Sequence, residues 1–266
     1  MPGKQNIYVS LIHEKMKNQE RITSIPREHS LSPDVFHSTY AERGYPVIYK
    51  RPGSIEPPEK YALLRTLAAE LGDKEINVRP PNYADLEDSV KRTSSRKVKL
   101  REYVNDFINS PSKDIGHAAN NNLEDYEFSP LGIQSPTFYE SSCYRPVTLW
   151  ISPRGTISPL HVDDRDNFIT QVVGAKRWLI YSAGDYPVLP SAGAKGIEFT
   201  LHAGEILYLP AAWAHFVETI DDSVVVNFWV RHLEPAVLRG DVWPRNSTIS
   251  ETLGPSRLAS PQSEQR

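Results

Sequence analysis

Apolar positions along this chain follow two regimes, helical spacing up to about residue 114 and short runs after it. In PPEKYALLRTLAAELG, Leu63, Leu64, Leu67, Ala68 and Leu71 recur with the 3.6-residue period, between Pro57-Pro58 and Gly72. That pattern predicts an amphipathic helix with both ends marked. KLREYVNDFINS gathers Leu100, Tyr103, Val104, Phe107 and Ile108 on one face and predicts a second helix, ended by Ser110 and Pro111. LSPDVFHSTYAERG predicts a short helix that opens after Ser32, with Pro33 at its first position, and closes at Gly44. The alternation of Ile7, Val9 and Leu11 predicts a short strand, as do YPVIYK and EINVRP. Between the last of these and the second helix, NYADLEDSVKRTSSRKVK is polar and predicts a solvated loop. Its Lys91, Arg92, Arg96, Lys97 and Lys99 also make it a candidate lid for an anionic partner.

From about residue 115 the apolar residues come in runs separated by Gly, Pro and Asp: TLWIS, NFITQVV, KRWLIYS, IEFTL, EILYLP, HFVETI and SVVVNFWV. Several short strands with turn signals between them predict a sandwich or barrel. The expected division is a mixed helical part over residues 1–114, a β core over 115–235 and a polar tail over 236–266, all in one structural unit.

Composition narrows the function classes. Twenty-two prolines fit a loop-rich chain, and a net charge of −3 does not favour a general nucleic-acid binder. Cys143 is the single cysteine, so neither an intrachain disulfide nor a cysteine-based zinc site can form. No apolar run approaches the length of a membrane span, and the N-terminus lacks the apolar core of a signal peptide. A cytoplasmic protein without membrane association is the expectation.

The chemistry concentrates in TISPLHVDDRDNFITQVVGAKRWLIY. His161 and Asp163, two residues apart, reach the same side of a strand. A further apolar run delivers His215. Two imidazoles and a carboxylate form the facial triad of non-haem Fe(II) oxygenases. A lone His-x-Asp is as well read as a surface pair in a polar turn, so its company decides. Lys176 shares a strand face with Trp178 and Ile180, and an inward lysine needs a buried anion. The distal carboxylate of 2-oxoglutarate would serve, with Ser158 as a further donor. Asn167 and Asn227 are amides in strand-like runs, where Asn is disfavoured. His202, before the turn at Ala203-Gly204, reads as a surface or turn histidine, and His117 and His232 have no assigned partner.

The stretches SPLHVDDRDNFITQVVGAKRWLIY, AGEILYLPAAWAHFVET and VVVNFWV resemble the Jumonji-C (JmjC) group of 2-oxoglutarate oxygenases. They are most similar to its small cupin-like hydroxylase branch, which includes the hypoxia-inducible factor asparaginyl hydroxylase and the tRNA wybutosine hydroxylase. The resemblance covers about residues 115–232 and implies a double-stranded β-helix, a cupin-like jelly-roll of two sheets. It implies iron ligation by His161, Asp163 and His215, and pairing of Lys176 with the distal carboxylate of 2-oxoglutarate. Ser158 stands where relatives often carry a Thr, and Asn167 and Asn227 match amides near iron and cosubstrate. Trp213 fits the aromatic before the distal histidine, or simply packs in the core. Relatives also carry an upstream Tyr on the cosubstrate. Here HAANNNLEDYEF offers Ala118 or Asn120 at that place, with Tyr126 and Tyr139 as other candidates.

The implied function is Fe(II)- and 2-oxoglutarate-dependent hydroxylation of a C–H bond with O2, releasing succinate and CO2. The substrate, whether an amino-acid residue, a small molecule or an RNA base, does not follow from the resemblance, because the stretch from Tyr181 to Gly204 is shorter than in many relatives. N-methyl demethylation on the same core and a non-catalytic cupin-like binding protein are the alternatives. Relatives that dimerise through C-terminal helices make a homodimer a further expectation to test.

Overall fold

The computed structural model describes residues 4–50, 59–87, 91, 94–109, 113–123, 133–185, 195–230 and 237. Two long antiparallel strands, β8 (Asn167–Tyr181) and β11 (Ala214–Trp229), run side by side through the whole molecule. Each serves two sheets, because both bend midway. The first half of β8 pairs with β10 (Ile206–Leu209), and the second half with β9 (Ile197–His202). The first half of β11 pairs with β7 (Ile157–His161), and the second with β6 (Thr148–Ser152). The short sheet is therefore β9-β8-β11-β7, and the long one continues outward on both sides. Beyond β10 lie β2 (Val47–Tyr49) and β1 (Arg27–Glu28). Beyond β6 lie β5 (His117–Asn122), β3 (Glu75–Arg79) and β4 (Arg96–Lys99). This is the cupin-like jelly-roll, with both sheets sharing their two central strands.

Gly174 makes the bend in β8. Its φ is +75°, and a Cβ there would lie 2.1 Å from the Asp222 carbonyl oxygen, so only glycine fits. The bend also shifts the alternation. Asn167 and Ile169 face the interior before it, and Lys176 and Trp178 after it. The register with β11 slips around Asp221–Val225 to match. NFITQVV and KRWLIYS, which read as separate strands, are one strand with a change of face.

The helices α1 (Lys4–Met16), α2 (Pro33–Val35, continued by a π-helical stretch Phe36–Ala41), α3 (Lys60–Leu71) and α4 (Leu100–Asn109) precede the core. Ser32 caps α2, its hydroxyl accepting from the Val35 N–H at 3.3 Å, with Pro33 inside the first turn as the sequence predicts. Leu64 and Leu67 of α3 and Tyr103 and Phe107 of α4 pack on the outer face of the long sheet, against Ile151, Val226 and Phe228. The buried Tyr103 hydroxyl donates toward the Gly116 and Ile151 carbonyls at 3.0 and 3.1 Å, tying α4 to β5 and β6. A second core fills the space inside the sheets with Ile169, Trp178, Leu207, Trp213 and Val225.

Two expectations are corrected. Residues 7–11 lie in helix α1 rather than in a strand. Val9, Ile12 and Met16 are buried at helical spacing while Leu11 is 50% exposed, so burial of the 9-12-16 stripe overrides the 7-9-11 alternation. The polar stretch 82–99 is not one loop. Residues 96–99 form the edge strand β4, whose charged side chains suit an open sheet edge. Arg96 donates to the Ile115 carbonyl, and Lys97 and Lys99 pair with Glu75 and Asp73. Of the lid cations only Lys91 is found at the central cavity, and Arg92 lies outside the described residues. His232, Tyr126 and the tail 238–266 also lie outside them. Among the described residues no helix is long and apolar enough to cross a membrane.

Candidate active site

The two sheets enclose a cavity of about 480 Å³, within the range of small-molecule sites. His161 ends β7 and His215 lies near the start of β11, as direct cross-strand partners. Their ring centroids are 4.1 Å apart. Asp163 follows two residues beyond β7, and its Oδ2 lies 3.5 Å from Nε2 of His215. Ligand atoms of all three residues fall within 4.8 Å of one another. The triad grades from exposed His161 through half-buried Asp163 to buried His215.

Both imidazoles are oriented in the same way. Nδ1 of His161 meets the Pro159 carbonyl at 2.7 Å, and Nδ1 of His215 meets the Trp213 carbonyl at 2.9 Å, each two residues back. A carbonyl only accepts, so Nδ1 carries the proton and the Nε2 lone pair is left for a metal. Burial pushes the His215 pKa down to about 3, with His161 adding to the effect and the Trp213 carbonyl opposing it. Its ring is thus neutral at any ordinary pH. Burial pushes the Asp163 carboxyl up, while His161 and Arg165 pull it down. A dication would reverse that balance and favour the carboxylate.

The loops that carry the ligands are stitched together. The Ala212 N–H donates to the Asp163 carbonyl at 2.8 Å, and the Ala211 N–H donates to the buried Asp166 carboxylate at 2.9 Å. Ala212 takes a φ of +68°, unusual for a residue with a Cβ, one residue from Trp213. Trp213 is fully buried in the core, its indole N–H donating to the Gly44 carbonyl at 2.8 Å. Its side chain packs, and its carbonyl orients His215.

Lys176 projects into the same cavity at 8% exposure. Its Nζ donates to Ser152 Oγ and Thr219 Oγ1, both at 3.1 Å, and among the described residues no carboxylate pairs with it. Burial pushes its pKa down to about 7. Ser158, Asn167 and Asn227 line the cavity as well. The side-chain oxygens of both asparagines are buried without a hydrogen-bond partner. His202 is exposed at the end of β9, away from the triad, as a turn histidine should be.

Three site features escaped the sequence reading. Ser152 and Thr219, the hydroxyls that hold Lys176, stand on β6 and β11 at positions with no local signal. His117 is buried on β5 at 4% exposure, and its Nε2 has no partner. Burial holds its pKa well below the ordinary value, with Lys176 and Arg79 lowering it further. Of the upstream candidates, Asn120 lines the cavity, Ala118 is buried, and Tyr139 packs with Phe36 and Phe168 in the outer core.

Comparison with known proteins agrees with this architecture. Residues 124–236 match the JmjC domain. The chain is 26% identical over 254 residues to lysine-specific demethylase 8 of Xenopus tropicalis, covering 78% of this chain and 53% of the relative. It is 26% identical over 256 residues to Jumonji C domain-containing protein 5 of Drosophila melanogaster, covering 79% and 61%. It is 30% identical over 122 residues to tRNA wybutosine-synthesizing protein 5 of Gallus gallus, covering 38% of each chain. The chain thus spans little more than half the length of the first two relatives. A jelly-roll whose shared strands bring a His-Asp-His cluster together agrees with the JmjC-domain match over residues 124–236 and with the similarity to these relatives.

Proposed function

We propose that this chain is an Fe(II)- and 2-oxoglutarate-dependent oxygenase that hydroxylates a C–H bond. The observation that carries the reading is the conjunction, in one cavity, of a two-histidine, one-carboxylate cluster and a buried lysine with no anionic partner among the described residues. The donor set fits the group: two neutral Nε2 atoms and one carboxylate on one side of an ion leave its other side open. Lys176 fits a dicarboxylate, since a buried ammonium held only by two hydroxyls lacks a counter-charge. When bound, iron and 2-oxoglutarate supply the oxidising chemistry, in which O2 yields succinate, CO2 and one oxygen atom for the substrate C–H bond.

The chain's own residues then position and shield. Ser152 and Thr219 fix the Lys176 ammonium against the far carboxylate of the cosubstrate, with Ser158 as a further donor. Asn167 and Asn227 orient groups near the metal. Ile169, Val217 and Val225 line the cavity with apolar surface that excludes water from the reacting centre.

The test is anaerobic titration of the metal-free protein with Fe(II) and then 2-oxoglutarate, watching the visible charge-transfer absorption of the chelate. The band is expected in wild type, absent in His161→Ala, and shifted to much higher 2-oxoglutarate concentration in Lys176→Ala. A folded wild type that gives no band refutes the reading. Demethylation of an N-methyl group is the second reading, favoured by the name of the Xenopus tropicalis relative. Formaldehyde release from a methylated substrate separates it from simple hydroxylation.

A further inference from the structure

The cavity is lined by a further strand-borne cation besides Lys176. Arg79, the last residue of β3, lines it. Its guanidinium carbon lies 4.5 Å from the ring centroid of Tyr83 and 5.4 Å from that of Trp150. Two aromatic faces fix the guanidinium plane before any ligand arrives. Yet the Arg79 guanidinium has no ion pair and no hydrogen bond to any described residue, whereas the side chains of Arg96, Lys97 and Lys99 of the adjoining strand all have partners. Burial lowers its pKa, a sign that its charge lacks compensation. Trp150 adds an independent observation: its indole N–H is buried without an acceptor. Two orphaned donor groups at one wall call for one acceptor-rich ligand group.

The charge balance of the lining points the same way. Arg79, Lys91 and Lys176 face the cavity, and the single carboxylate among its described lining residues is the candidate metal ligand Asp163. Lys176 and Arg79 do not crowd one position. Lys176 is held by Ser152 of β6, and Arg79 lies over Trp150 of the same strand. Those two residues share a face, roughly 6–7 Å apart along the strand. A small dicarboxylate anchored at Lys176 and the metal leaves the Arg79 position free.

Resting on the oxygenase reading, we propose that Arg79 and Trp150 form the receptor for an anionic group, a carboxylate or a phosphate, on the substrate. Tyr83 holds the guanidinium in place, and Trp229 forms another aromatic wall of the same cavity. A cationic side chain, such as the lysine in the name of the Xenopus tropicalis relative, meets like charge at this wall. The chain therefore selects substrates of the opposite charge.

The experiment is calorimetry on the full chain saturated with Mn(II) and 2-oxoglutarate. The probes are the α-methylamides of N-acetyl-L-glutamate, N-acetyl-L-glutamine and Nα-acetyl-L-lysine, in which the side chain carries the only charge, and inorganic phosphate. Wild type should bind the α-blocked glutamate probe or phosphate at least about tenfold more tightly than the neutral glutamine probe, and the lysine probe least, as expected for a charge-assisted contact. Arg79→Gln should remove that preference, Arg79→Lys should keep part of it, and Arg79→Glu should turn it toward the lysine derivative. Affinity for 2-oxoglutarate, measured first, should change less than about twofold in all three. Equal binding of the glutamate and glutamine probes overturns the proposal. So does anion binding weaker than about 10 mM, or a matching loss of 2-oxoglutarate affinity in Arg79→Gln. Failure of wild type to bind 2-oxoglutarate at all overturns the oxygenase reading itself, and this proposal with it. Intact 2-oxoglutarate binding without anion preference overturns this proposal alone.

Discussion

His161 and His215 are cross-strand partners whose rings are turned by the same device, a carbonyl two residues back that accepts a hydrogen bond from Nδ1–H. Each Nε2 therefore stands ready without rotation or tautomer exchange. Replacing either histidine by alanine should weaken Fe(II) or Mn(II) binding by more than about 100-fold, beyond what outer partners cost. Calorimetric metal titration checks this, and unchanged affinity in His215→Ala would remove the triad from consideration.

Asp166 touches no metal position, yet its carboxylate accepts from the Ala211 N–H and so fixes the turn that leads into His215. Asp166→Ala should lower metal affinity by about 10–100-fold while leaving the ligands in place. Metal titration alongside a thermal melt separates this from unfolding, since the melt of the metal-free protein should show a smaller loss than the titration does.

Lys176 sets a pH dependence whose sign can be worked out. Its pKa falls from the usual 10.5 to about 7 in the folded, ligand-free protein. Above pH 7 the folded protein has lost a proton that the unfolded chain keeps up to about 10.5. This group's contribution to stability therefore rises with pH through that window and is least favourable below it. Dicarboxylate binding needs the charged form, so 2-oxoglutarate affinity should fall as pH rises above about 7. Binding near neutral pH should take up a proton, visible as a dependence of the calorimetric heat on buffer ionisation. Lys176→Met should stabilise the metal-free protein at pH 6 by about 1–3 kcal/mol while sharply weakening 2-oxoglutarate binding. A destabilised Lys176→Met variant would contradict the unpaired-cation account.

Gly174 admits no side chain, because a Cβ would lie 2.1 Å from the Asp222 carbonyl oxygen and φ is +75°. Gly174→Ala should cost at least about 2 kcal/mol in urea unfolding. The loss should come with weaker 2-oxoglutarate binding, since Lys176 lies two residues on. A neutral effect would mean that the bend tolerates a change of register.

The clustering of His161, Asp163 and His215 was legible from the His-x-Asp spacing and the later histidine, but not for the reason read from sequence: β7 ends at His161, and Asp163 reaches the cluster from the turn beyond it rather than from the same strand face. Lys176 was legible from its alternation with Trp178 and Ile180. Arg79, His117 and Thr219 were not, because each owes its place to pairing between distant segments. Arg79 and His117 are cross-strand neighbours, 38 residues apart by their numbers, and nothing local announces it. The change of face at Gly174 was equally hidden, since a glycine in a strand can mark a bulge, a bend or mere tolerance. The helix at residues 4–16 was misread because two periodicities coexist there, and only the tertiary core chooses between them.

The Trp213 indole reaches back to the Gly44 carbonyl, while its own carbonyl orients His215. A segment far outside the matched region 124–236 thus sets the posture of a ligand within it. The same dependence holds for the sheet. Cutting the chain at residue 124 would strip β2 from β10 and β5 from β6, leaving two apolar strand edges bare. Such edges recruit other chains. The excised region should therefore aggregate rather than fold: the stretch that matches the JmjC domain is smaller than the unit that can exist alone in water.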